Sequence, residues 1–212
     1  LVTGTLPVHT ELEQEIARHK GYPAALLFGS GYLANLGVIT ALAGRDDHVF
    51  ADRLIHASLI DAIRLSGATL HRFAHNDLDD VANRLRAAPA TGRRLIVSES
   101  VFSMDGDLAP LDGLAALAEE HDAMLMIDEA HATGVFGPAG RGLIADAALQ
   151  SRVNISMCTL SKALGGYGGA VACSPLMRDW LVNKARSFIY TTALPPGVCA
   201  AARAALLLLD RQ

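Results

Sequence analysis

The sequence predicts an α/β fold, a mostly parallel central sheet flanked by helices in an α/β/α arrangement. Three observations carry that expectation. Apolar runs of strand length alternate with stretches of helical period through most of the 212 residues. Runs such as Met124-Leu125-Met126-Ile127 lack the polar alternation of a half-exposed strand, as expected when both faces of a strand are covered. The composition, 51% hydrophobic and 19% charged, supplies one large core, read here as a single domain over residues 1–212.

In chain order, the helical pattern appears first over 11–19 and again over 32–43, the second behind the glycine-bearing loop Phe28-Gly29-Ser30-Gly31-Tyr32. The short apolar run 49–51 reads as a strand and 58–66 as a helix. A strand at 69–73, a helix at 78–87 and the strand 94–98 repeat the alternation. It continues with a helix at 111–121, a buried strand at 123–128, and strands at 153–158 and 169–173. Helices at 175–187 and 196–209 close the chain. The stretch 130–141 is glycine-rich, follows a strand and reads as a structureless loop, the kind of segment that usually carries function.

Several function classes are disfavoured. Every apolar stretch is interrupted well before the ~20 residues needed to cross a bilayer, so no membrane span is expected. The start, Leu1-Val2-Thr3-Gly4, has neither an initiator methionine nor a charged-then-apolar leader. It therefore reads as a fragment of a longer protein without a signal peptide. Cys158, Cys173 and Cys199 are odd in number and scattered, which suits reduced thiols in a cytoplasm and gives no metal-ligand spacing. A net charge of −4 offers no footprint for nucleic acid, while leaving room for a local basic pocket.

In open parallel sheets, ligands sit beyond the carboxyl ends of the strands, where loops converge and helix N-termini point. That rule collects polar residues on one rim. Asp128 ends a strand and His131 follows three residues later; Ser103 follows the strand ending near Ser98; Thr159 follows Cys158; His56 lies in the loop after Ala51-Asp52. Lys162 joins them from Thr159-Leu160-Ser161-Lys162-Ala163-Leu164-Gly165-Gly166, set among hydroxyls and glycines. A lysine amine attacks a carbonyl only when unprotonated, so its surroundings decide whether it is a surface residue or an imine-forming nucleophile. Asp128 could stabilise a protonated ring nitrogen and so strengthen an electron sink; equally, it could cap a helix or pair with Arg141. His131 could meet a phenolic oxygen and His56 could stack on a ring. The loop at Gly31 and Tyr32 offers free backbone N–H groups to a phosphate, although it is neither the dinucleotide nor the Walker pattern. A phosphate site, a ring-nitrogen carboxylate and such a lysine together point to pyridoxal 5′-phosphate.

Six motifs in order resemble the α-oxoamine synthase family of fold-type I pyridoxal-phosphate enzymes: Gly29-Ser-Gly-Tyr-Leu-Ala-Asn35, Asp52-Arg-Leu-Ile-His-Ala-Ser58, Arg72-Phe-Ala-His-Asn-Asp77, Glu99-Ser-Val-Phe-Ser-Met-Asp-Gly-Asp107, Ile127-Asp-Glu-Ala-His-Ala-Thr-Gly134 and Thr159-Leu-Ser-Lys-Ala-Leu-Gly165. The resemblance spans almost the whole chain and implies the aminotransferase class I/II type of cofactor-binding large domain. It implies that Lys162 forms the internal aldimine and removes the substrate's α-proton, and that Asp128 pairs with the pyridine nitrogen. It further implies that His56 stacks on the ring and handles substrate, that Ser103 and His131 meet the ring hydroxyl, that Thr159 contacts the phosphate, and that Gly31 and Tyr32 lie in the cofactor loop. The reaction implied is a PLP-dependent acyl transfer: decarboxylative condensation of an amino acid with an acyl-CoA or acyl carrier protein, in a cytoplasmic homodimer. Residues 73–77 with 103–107 resemble most the biotin-pathway branch, which joins L-alanine to a pimeloyl thioester. Branches using glycine or serine, the 2-amino-3-ketobutyrate CoA ligases, 5-aminolevulinate synthases and serine palmitoyltransferases, share much of the scaffold. The family's N-terminal segment and its C-terminal domain, where an arginine binds the amino-acid carboxylate, are absent from these 212 residues. The resemblance also places Tyr190-Thr191-Thr192 near a partner subunit's phosphate.

Overall fold

A computed structural model describes residues 4–211. The chain runs α1 (Pro7–Lys20), β1 (Ala24–Phe28), α2 (Gly31–Leu42), β2 (His48–Asp52), α3 (Ala57–Ser66), β3 (Thr69–Phe73), α4 (Leu78–Ala87), β4 (Arg94–Glu99) and α5 (Leu111–Glu120). It continues through β5 (Met124–Asp128), a 3-10 turn (Pro138–Gly140), α6 (Leu143–Asp146), β6 (Ile155–Thr159), β7 (Gly169–Cys173), α7 (Pro175–Lys184), α8 (Arg186–Ile189) and α9 (Pro196–Leu209). Leu1, Val2, Thr3 and Gln212, at the ends of the expected 1–212 domain, lie outside the described residues.

The strands form one sheet in the order β1-β7-β6-β5-β4-β2-β3. All neighbours are parallel except at β7, which runs antiparallel to both β1 and β6. Leu125, Met126 and Ile127 of β5 are fully buried, so this central strand is covered on both faces. Each such side chain contributes about 1.5–3 kcal/mol through burial, which favours a strand sandwiched between helix layers.

Local chemistry sets the helix ends. The Ser30, Asp77 and Ser174 side chains accept the Leu33, Asp80 and Met177 N–H groups and cap α2, α4 and α7. Gly21 ends α1 in the left-handed conformation.

The structure differs from the sequence expectation in several places, among them the start of α1 at Pro7 and the short helix α6. β1 appears where none was expected; its run Ala24-Ala25-Leu26-Leu27-Phe28 has no β-branched residue to mark it as a strand, and pairing with β7 makes it one. β6 starts two residues later than expected and extends to Thr159. The helix expected over 175–187 is two helices, because Ala185 takes extended backbone angles of −71° and 100°. The stretch 130–141 is a compact fold-back, with Gly134 N–H donating to Gly140 O at 2.7 Å and Gly142 N–H to Phe136 O at 2.8 Å.

That fold-back is held from below. Lys20 and Glu129 are buried and paired at 2.5 Å. Lys20 also donates to Thr133 Oγ1 at 3.1 Å and Arg141 O at 2.7 Å, while Glu129 accepts from Ile144 N–H and Ser156 Oγ–H. A side chain at Gly142 would enter the Glu129 carboxylate, with its Cβ 2.5 Å from Oε1, and Gly142 sits at φ +99°.

Candidate active site

Four strand ends converge on one rim. Glu99 closes β4 beside Asp128, its register partner closing β5; Thr159 closes β6 against Gly169, which also pairs with Phe28 at the end of β1. Gly169 is required by proximity: a Cβ there would lie 2.6 Å from the Gly31 nitrogen and the Ser30 carbonyl carbon. The start of α2 thus rests on β7, and its first-turn N–H groups at Gly31 and Tyr32 lack intrahelical acceptors.

Gly31, Tyr32, His56, Asp128, His131, Thr159 and Lys162 line one cavity of about 210 Å³. Ser103 does not line it. It lies in the exposed turn 103–105, where the chain doubles back through the Val101–Leu108 bridge and His75 holds Asp107 at 2.6 Å. Tyr190, Thr191 and Thr192 line a separate cleft with Leu6, His9 and Leu194.

Asp128 is 4% exposed and accepts from Asn35 Nδ2 and from Ala130 N–H, each at 2.9 Å. It neither caps a helix nor pairs with Arg141, and it has no ion-pair partner within 4 Å among the described residues. Burial pushes its carboxyl above the ordinary range, opposed by Asn35, the Ala130 N–H, and the charges of Lys162 and His56. A buried carboxylate facing a cavity is suited to a cationic or N–H-bearing ligand.

The sequence contains three lysines. Lys20 is locked to Glu129, and Lys184 lies over the Trp180 ring. Lys162 alone reaches the cavity, with Nζ 2.8 Å from His131 Nε2. Loss of hydration pushes its amine below the ordinary lysine value, against the pull of Asp128 and Glu99. His131 is pushed down by burial and then by Lys162, which favours a neutral ring able to accept from Nζ–H.

The structure adds residues that the strand-end reading missed. Glu99 is 3% exposed; burial, then the adjacent Asp128 charge, pushes its carboxyl up to about 7. Its Oε1 accepts the His56 backbone N–H at 2.5 Å. Asn35 and Ser58 are buried behind His56, and Ser161 stands beside Thr159 with their oxygens 2.8 Å apart. Thr159 is buried and its Oγ–H donates to Gly168 O at 3.0 Å, whereas Ser161 is exposed. Asn35, Ser58 and Glu99 stand at the ends of three quoted motifs, and Glu99 also closes a strand, which was the signal available for it.

The description "Aminotransferase class I and II" belongs to the family model that matches residues 1–210. An 8-amino-7-oxononanoate synthase from Trichlorobacter lovleyi is 52% identical over all of this chain and 54% of its own length. A serine palmitoyltransferase from S. paucimobilis, solved with a bound PLP–myriocin aldimine, superimposes with a TM-score of 0.95 at 37% identity, over 99% of this chain and 52% of that one. An 8-amino-7-oxononanoate synthase from Francisella tularensis gives a TM-score of 0.87 at 36% identity, over 98% of this chain and 60% of that one. The chain thus spans about half the length of the curated relatives it matches.

Proposed function

This chain belongs to the aminotransferase class I and II family, with α-oxoamine synthases among its relatives, and we propose that it is the pyridoxal-phosphate-binding large domain, over 1–212, of a C-acyltransferase. The reaction proposed joins L-alanine to pimeloyl-CoA, or to pimeloyl carrier protein, giving 8-amino-7-oxononanoate, carbon dioxide and the free thiol carrier in biotin biosynthesis. One observation carries this reading: Lys162, Asp128, His131 and His56 converge on a single cavity beside the open first turn of α2. The 52% identity to 8-amino-7-oxononanoate synthases, against 37% to a serine palmitoyltransferase, favours alanine and pimeloyl thioester over serine and a longer acyl chain.

The residues present fit pyridoxal 5′-phosphate. Asp128, buried and without an ion-pair partner among the described residues, would hold the pyridinium nitrogen, and Lys162 would hold the carbonyl carbon. The Gly31 and Tyr32 N–H groups, with Thr159 and Ser161, would receive the phosphate, while His56 would cover the ring face and His131 would meet the ring hydroxyl. When bound, the cofactor supplies an electron sink for the bonds broken at the amino acid's α-carbon. With the cofactor bound, Lys162, whose amine is pushed below the ordinary lysine value by loss of hydration, would be the group placed to take the α-proton at Nζ. His131 Nε2, at 2.8 Å, orients that amine. Asp128 holds the complementary charge away from water.

We place the protein in the cytoplasm as a homodimer; the buried, free thiols of Cys158, Cys173 and Cys199 support a reducing compartment. Among the described residues, no helix is long and apolar enough to cross a membrane. The test is thiol release by the complete protein from a panel of acyl thioesters with alanine, glycine and serine. Turnover of pimeloyl thioester with alanine supports the assignment; turnover only of palmitoyl-CoA with serine, or of acetyl-CoA with glycine, overturns it.

A further inference from the structure

We propose that Asn35 and Ser58 are positioning residues: the hydrogen-bonded chain Asp128–Asn35–Ser58–His56 fixes His56 as the tautomer carrying its proton on Nε2, so His56 serves the cavity as a donor. The proposal rests on reading that cavity as the cofactor site.

The direction of each bond follows from what the groups can do. Asp128 Oδ2 only accepts when ionised, so Asn35 must turn its amide nitrogen toward it, at 2.9 Å. The second amide proton goes to Ser58 Oγ, also at 2.9 Å. With one lone pair engaged, Ser58 directs its own hydroxyl proton to His56 Nδ1, at 2.7 Å. The Ser58 backbone N–H adds a second donor to the same nitrogen at 3.2 Å, as His56 caps α3. A ring nitrogen receiving two donors carries no proton of its own, so the neutral imidazole is protonated on Nε2, its other edge. Asn35 and Ser58 are each 1% exposed, so no water competes for these bonds.

Both ends of the chain are anchored to adjacent strands. Asp128 closes β5, and Glu99, its register partner closing β4, accepts the His56 backbone N–H at 2.5 Å. The cost is visible at Asn35, whose Oδ1 is buried without a partner among the described residues. An amide kept for packing alone would not need to leave that oxygen unsatisfied. The relay therefore ties the group that binds the ring nitrogen to the group over the ring face, and leaves Lys162 as the base at the reacting centre.

Tautomers of neutral imidazole are separated by long-range ¹H–¹⁵N correlation, with the His56 signals assigned by their loss in His56→Gln. The complete protein would be measured with and without pyridoxal 5′-phosphate. Wild type should show protonated Nε2 and bare Nδ1. Ser58→Ala and Asn35→Ala should introduce the Nδ1–H tautomer, and Ser58→Thr, which keeps the hydroxyl, should restore the wild-type pattern. An Nδ1–H tautomer in wild type, or wild-type tautomers in both alanine variants, overturns the relay. If Asn35→Ala does not fold, Ser58→Ala alone decides. Failure of wild type to bind the cofactor would instead overturn the cofactor-site reading, a separate result from the absorbance titration rather than from the nitrogen shifts.

Discussion

Replacing Glu99 by glutamine isolates the electrostatics of the rim. Glu99 is 3% exposed, and burial followed by the Asp128 charge lifts its carboxyl from an ordinary 4.5 to about 7. Each tenfold change in proton affinity is worth about 1.4 kcal/mol, so ionising this side chain costs the folded, cofactor-free protein about 3 kcal/mol. The sign follows from proton binding. The folded state holds the Glu99 proton more tightly than the unfolded chain, so this contribution is fully present below 4.5 and is lost as pH rises through about 7. Glutamine keeps an oxygen for the His56 N–H, now bonded at 2.5 Å, and never ionises. Urea denaturation of wild type and Glu99→Gln across a pH series reads the difference directly, because every other titrating group is common to both. The variant should match wild type near pH 4.5 and exceed it by up to about 3 kcal/mol near pH 8. A variant less stable than wild type near pH 8, or offset equally at every pH, would refute this reasoning.

Lys20→Met strands the buried Glu129 carboxylate and should cost about 3–5 kcal/mol in denaturation midpoint analysis, with Lys20→Met/Glu129→Gln recovering most of the loss. A loss below about 1 kcal/mol would show that the pair does not hold the 130–142 fold-back. Gly169→Ala puts a Cβ 2.6 Å from the Gly31 nitrogen and should weaken pyridoxal-phosphate binding at least about tenfold in absorbance titration, with the far-ultraviolet spectrum unchanged. Burial alone would lower His75, but hydrogen bonds to Asp52 and Asp107 outweigh it and raise its pKa above 6.5. Its stabilisation is therefore present below 6.5 and lost as pH rises past the elevated value, so His75→Gln should destabilise more near pH 5 than near pH 9. Equal effects at both would count against the charged latch.

The alternation of apolar runs and helical stretches is legible because buried parallel strands and amphipathic helices have different periods, and most strand positions follow from it. β1 escapes because Ala24-Ala25-Leu26-Leu27-Phe28 has no β-branched residue and its partner lies some 145 residues away, at β7. Position relative to strand ends singles out Asp128, Thr159 and the neighbourhood of Lys162, and the cavity gathers them. Ser103, four residues beyond the end of β4, stands in a tight exposed turn and does not line that cavity. Asn35 and Ser58 are hidden for another reason. Both sit on helices, where a polar residue in an apolar stretch looks like a packing compromise until the fold aims both at His56. The buried Lys20–Glu129 pair joins residues 109 positions apart and has no local signature.

The assignment of Lys162 as the lysine that holds the cofactor's carbonyl is tested most directly by borohydride reduction of the complex with pyridoxal 5′-phosphate, followed by peptide mapping by mass spectrometry. With three lysines in the sequence, the outcomes are distinct. The reduced adduct should appear on the peptide bearing Lys162 and be missing from Lys162→Ala. An adduct on Lys20 or Lys184, or one that survives Lys162→Ala, would contradict the assignment.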